Sequence, residues 1–144
     1  MTAKEHYATL YAGLVEQHGP LNEDTISSVI GFSGGGPVSM CQIGQKDVFV
    51  TCELSLYPEQ ISSTDGFRYE FLSSGGIGVD VCRAIFTALG NLSMDAQLGD
   101  GHTVDMSGIL GADGINTVGL RKYSTSRIGN DMFGIYEVLP MSQP

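Results

Sequence analysis

The densest set of reactive side chains is the run Gly99-Asp100-Gly101-His102-Thr103-Val104-Asp105. Two carboxylates and an imidazole on one loop could ligate a metal or act as an acid–base pair. A metal site needs three or four ligands, and the other histidines, His6 and His18, lie in a helical pattern at the N-terminus. The competing reading is a tight turn: Gly99 and Gly101 supply left-handed backbone, Asp100 bonds its own backbone, and His102 holds the loop. Asp100 and Asp105 are then rim acids for a macromolecular partner. His102 with the two aspartates remains an alternative ligand loop.

Other reactive residues point away from catalysis. Gly34-Gly35-Gly36 runs into Pro37 and a strand, whereas a phosphate cradle must feed a helix N-terminus. Cys41, Cys52 and Cys82 fall on inward faces, where a thiol is inert. No serine- or cysteine-centred triad is expected. Glu53 and Glu70 project from strands and read as solvated or salt-bridged, with Arg68 and Arg83 as partners. Tyr57-Pro58-Glu59 ends a long strand, and Tyr57 and Glu59 are candidates for a partner-binding face. No catalytic residue, metal or cofactor is assigned.

The positioning elements are legible as periods. Tyr7, Leu10, Tyr11, Leu14 and Val15 form one stripe of an amphipathic helix over Ala3–His18, stopped by Gly19-Pro20. Ile26–Phe32, Val38–Ile43, Asp47–Tyr57 and Gly66–Leu72 read as strands; in Asp47–Tyr57, Val48, Val50, Cys52, Leu54 and Leu56 alternate onto one face. Val81, Cys82, Ile85, Phe86, Leu89 and Leu92 trace a second helix across Ile77–Leu92. A short extended piece, Val104–Met106, precedes two closing strands, Ile115–Tyr123 and Met132–Met141, joined by the polar stretch Ser124–Asp131. The expected fold is α+β: one mixed, largely antiparallel sheet with two main helices packed on it, a single domain over 1–144.

The 144 residues include 16 acidic and 7 basic side chains, a formal net charge of −9. That balance repels phosphate backbones and argues against nucleic acid, while favouring a basic partner. Charged residues are 16% and glycines number 20, as suits β-structure with tight turns. No run approaches the roughly 20 apolar residues of a membrane span. Lys4, Glu5 and His6 precede any apolar stretch, so no secretory signal is read, and an odd number of cysteines fits a cytoplasmic chain. A homo-oligomer paired through an exposed strand edge is the blandest alternative.

The order VFVTCELSLYPE, GFRYEFL, an AIFTAL helix, LGDGHTVDMS and MFGIYEVLPMS resembles the Suppressor of Fused-like domain over residues 27–141. Gly66, Phe67 and Glu70 match its Gly-aromatic-x-x-Glu strand; Gly99, Asp100 and His102 match its loop. The chain is one domain long and lacks the second half with which animal members grip a transcription-factor peptide. The resemblance therefore implies the bacterial single-domain branch, whose members are encoded beside polymorphic toxins as immunity proteins. What it implies is a non-enzymatic protein-binding module that neutralises a basic toxin domain.

Overall fold

The computed structural model describes residues 3–20, 35–44, 47–106 and 117–141. The strand expected at 26–32 lies outside them. Helices α1 (Ala3–Leu10) and α2 (Ala12–His18) precede strands β1 (Met40–Gln42), β2 (Phe49–Thr51) and β3 (Arg68–Ser73). Helix α3 (Val79–Ser93) follows, then β4 (Thr103–Asp105), β5 (Thr117–Ile128) and β6 (Asp131–Met141). The six strands form one sheet in the order β1-β2-β3-β6-β5-β4. Among the described strands only the β3–β6 pair is parallel. The chain is α+β, with one mixed and largely antiparallel sheet.

Helices cover both faces of that sheet. On one face Cys82, Ile85, Phe86 and Leu89 of α3 pack with Phe71, Tyr136 and Val138. On the other, Tyr7, Leu10, Tyr11 and Leu14 pack with Val50, Leu72 and Ile135. The two-residue period of β3 divides it between the cores: Tyr69 and Phe71 face α3, Leu72 faces α1 and α2. Each fully buried Leu, Ile or Phe contributes roughly 1.5–3 kcal/mol relative to exposure. Both cores are therefore needed at this chain length.

Several elements differ from their sequence patterns, each for a local reason. The N-terminal helix has an irregularity at Tyr11, although Tyr11, Val15 and Gly19 still donate to the carbonyls four residues back. Its buried stripe is rotated from the expected one: His6 is buried and Val15 is exposed. Gly19, at φ +113°, closes the helix as expected.

The long strand over Asp47–Tyr57 shrinks to Phe49–Thr51, and Leu54–Leu56 coils into a single 3-10 turn that leaves Leu56 exposed. Conversely, β5 runs on to Ile128 through the stretch expected to be a polar link, turning at Gly129-Asn130. Tyr123 is an extra residue in its register with β6. Such a bulge inverts the pleat. Val118 and Leu120 before it face α3, and Ile128 beyond it joins the α1–α2 core.

Candidate functional site

The loop after α3 is built as a turn. Gly101 adopts φ +84°, and its N–H donates to the Leu120 carbonyl at 2.8 Å. The His102 carbonyl accepts from Leu120 N–H at 2.9 Å. These bonds lead into β4, where Val104 pairs with Val118 and the exposed Thr103 and Asp105 point outward. Gly99 approaches Thr64 so closely that a methyl there would overlap the threonine side chain. Asp100 does not bond its own backbone as expected; its Oδ1 accepts from Lys122 N–H at 2.8 Å, fastening the turn to β5. Among the described residues no three His, Cys, Asp or Glu side chains converge on a point that could hold a metal ion.

Tyr57 and Glu59 belong to the connection between the 3-10 turn and β3. Tyr57 is half-buried against the α3 core, its hydroxyl donating to Glu53 Oε2 at 3.3 Å and its carbonyl accepting from Arg68 at 3.2 Å. Glu59 is exposed. In the sheet, β6 and β5 stand between β3 and the β4 edge that carries Asp105.

Glu70 overturns its expected place as a solvated or salt-bridged acid. It is fully buried on β3. Its Oε1 accepts from Thr51 Oγ1 at 2.6 Å and Leu54 N–H at 3.2 Å. Its Oε2 accepts from Tyr7 Oη at 2.9 Å, Ser55 N–H at 2.6 Å and the Ser55 hydroxyl. Here lies the reason β2 is short: the backbone N–H groups of Leu54 and Ser55 turn toward a carboxylate instead of a neighbouring strand. Burial raises the Glu70 pKa above its ordinary value, against the downward pull of the Ser55 and Thr51 hydroxyls and the other donors. The same burial, followed by the Glu70 charge, raises the Tyr7 phenol.

Glu53 goes elsewhere, accepting from Ser39 N–H at 3.0 Å. Arg68 lies over the Phe133 ring at 5.6 Å. Among the described residues neither Glu53 nor Arg68 forms the expected salt bridge.

His6 extends this network from α1. Its Nε2 is 3.0 Å from Ser55 Oγ, and its ring meets those of Tyr7 and Phe133 edge-on. Burial and then the Arg68 charge lower its pKa, favouring the neutral ring. Ser55 has one hydroxyl proton, and Glu70 takes it. His6 must then donate from Nε2, which assigns the tautomer. The residue types are those of a nucleophilic triad, but the order is not. A triad places histidine between serine and acid, with the serine open to substrate. Here the serine stands in the middle and is fully buried. The chemistry this arrangement supports is the docking of α1 onto β3.

Cys41 and Cys82 are buried as expected, Cys52 is half-buried, and no disulfide joins the three. Burial pushes the Cys82 thiol up to about 12. Against the expectation of no serine-centred triad, Gly31-Phe32-Ser33-Gly34-Gly35 spells the Gly-x-Ser-x-Gly of a nucleophile elbow. Ser33 lies outside the described residues, and from Gly35 the chain leads into β1, not into the helix an elbow requires.

Compared with protein-family models, curated proteins and solved structures, the chain matches none of them.

Proposed function

We propose that this chain is a non-enzymatic protein-binding module, an immunity protein that acts in the cytoplasm on a basic toxin domain. The observation that supports the reading is how its acids divide. Glu70 is buried and holds backbone N–H groups for the fold, while Glu59, Asp100 and Asp105 remain at the surface, Asp100 also fastening its turn to Lys122. Exposed carboxylates on a chain of net charge −9 speed encounter with a basic partner and set its orientation. Tyr57, half-buried beside Glu59, supplies an aromatic contact of the kind that dominates interface energetics.

The test is co-expression with a basic toxin domain, taken from the C-terminus of a secreted protein where the neighbouring reading frame encodes one. Growth is restored and the two proteins co-elute as a stoichiometric complex. Asp100→Lys combined with Asp105→Lys slows association about tenfold at low salt and far less at high salt. The alternative is a small-ligand- or metal-binding enzyme using Asp100, His102 and Asp105. Stoichiometric metal in the purified protein that is lost on His102→Ala would put it first.

A further inference from the structure

His6 Nε2, Ser55 Oγ and Glu70 Oε2 form an unbroken hydrogen-bonded chain from α1 to β3. All three residues are buried, at 3%, 0% and 0% exposure. Ser55 stands between two groups that can each give or take a proton, and its hydroxyl has one proton of its own. With Glu70 ionised, that proton points to the carboxylate and the ring donates from Nε2. A proton on Glu70 permits the opposite order. The other hydroxyl of the β2 side offers no such continuation. Thr51 Oγ1 accepts from Phe71 N–H at 2.9 Å, and among the described residues its own proton has no acceptor but Glu70. Ser55 has His6 behind it.

We propose that His6, Ser55 and Glu70 form a reversible proton relay. A proton bound at Glu70 Oε2 reverses both hydrogen bonds: Glu70 donates to Ser55, Ser55 donates to His6 Nε2, and the imidazole changes tautomer. The balance is one proton. Oε2 gains it, the Ser55 hydroxyl turns its own from the carboxyl to the ring, and the ring gives its Nε2 proton to water and takes one from water at Nδ1. An imidazolium facing a carboxylate through Ser55 has the same number of protons, but burial and then the Arg68 guanidinium oppose it. Burial, against the pull of the hydroxyl and backbone donors, holds the Glu70 pKa above its ordinary 4.5, which brings the switch toward the range where a protein stays folded.

Tyr7 and Tyr11 from the N-terminal helices, Arg68 from β3 and Cys52 beyond β2 are the other titratable groups that face the chain. Burial raises both phenols, and a bond to Cys41 followed by burial raises the Cys52 thiol. Arg68 brings a fixed charge, so none of the four takes up the proton. A proton reaches a buried carboxyl through brief local opening, without a channel. The Ser55–His6 bond is present in both states, so α1 stays docked whichever charge Glu70 carries.

The test is NMR of the full chain, isotope-labelled at the histidine ring nitrogens and the glutamate carboxyl carbons and titrated across the folded range. As pH falls, the Glu70 carboxyl carbon and the two His6 ring nitrogens share one midpoint. Through it Nε2 moves from the shift of a protonated ring nitrogen to that of an unprotonated one, and Nδ1 moves the other way. Glu70→Gln, which has no carboxyl to titrate, abolishes that step in the His6 nitrogens. Ser55→Ala cuts the chain, and the ring no longer follows the carboxyl. If either variant loses the native circular dichroism spectrum, the titration of the unmodified chain decides by itself. A ring that keeps its tautomer while Glu70 titrates would overturn the proposal. So would protonation of both nitrogens at the common midpoint, which would place the proton on the ring. A carboxyl that does not titrate within the folded range, a step that persists in Glu70→Gln, or coupling that survives Ser55→Ala would each do the same.

Discussion

The two faces of the sheet are held by different physics. The α3 face is apolar packing: Ile85, Phe86 and Leu89 press on Phe71 and Tyr69, and the Tyr69 hydroxyl lies buried with no partner among the described residues. The α1–α2 face has a similar apolar stripe but is threaded by directional bonds that converge on Glu70. Apolar packing tolerates a substitution of similar shape. A buried carboxylate with several donors does not, because removing it strands every donor at once. The first face thus gives bulk stability, and the second specifies how the N-terminal helix seats.

The largest expected effect tests that asymmetry directly. Glu70→Leu preserves approximate size yet orphans the Thr51 and Ser55 hydroxyls, the Tyr7 phenol and two backbone N–H groups, and costs about 4 kcal/mol in chemical denaturation. Phe86→Leu on the opposite face costs about 1.5 kcal/mol or less by the same measurement. Equal losses would remove the distinction between the faces.

A matched pair of hydroxyl deletions sharpens it. Tyr7→Phe loses a bond to a buried carboxylate and costs about 1.5–3 kcal/mol. Tyr69→Phe deletes a buried, unpartnered hydroxyl and stabilises the fold by up to about 1 kcal/mol. The opposite signs are the diagnostic, readable as thermal midpoints moving in opposite directions.

The pH dependence of stability separates the faces again. Glu70 titrates higher in the native state than the ordinary 4.5 of an unfolded chain, so between those two values the native state binds more protons. Its contribution therefore falls as pH rises through that window, and Glu70→Gln flattens the slope. His6 is lowered from 6.5, so the unfolded state binds more protons as pH falls below that value. Stability is lost in that direction, and His6→Gln removes the loss. The Phe86→Leu variant keeps both slopes.

The smallest effect is expected at the loop after α3. Asp100→Ala breaks one exposed bond to Lys122 N–H and costs at most about 1 kcal/mol by chemical denaturation.

Legibility follows the same division. Helix α3 and the strands flanking it were readable because an apolar face repeats at a fixed period that neighbours in sequence reveal. The strand pattern at Asp47–Tyr57 overruns the true strand because Leu54 and Leu56 continue its alternation, while the carboxylate that curls the chain there lies on a different strand. Glu70 was assigned to a wet face beside Arg68, although Leu72, next on the same side of β3, already marked that face as dry. His6 was discounted for lying on a helix, and being held by Ser55 is a long-range fact no local window contains.

The order of the strands has a consequence for how the molecule comes into being. Strand β6 is the last made of the described strands, yet it occupies an interior slot between β3 and β5. On the ribosome, β3 must wait with one side unsatisfied while the following elements are synthesised. The sheet can then close only when its late-arriving member is inserted lengthwise beside β3, so partially synthesised chains carry an open seam until then.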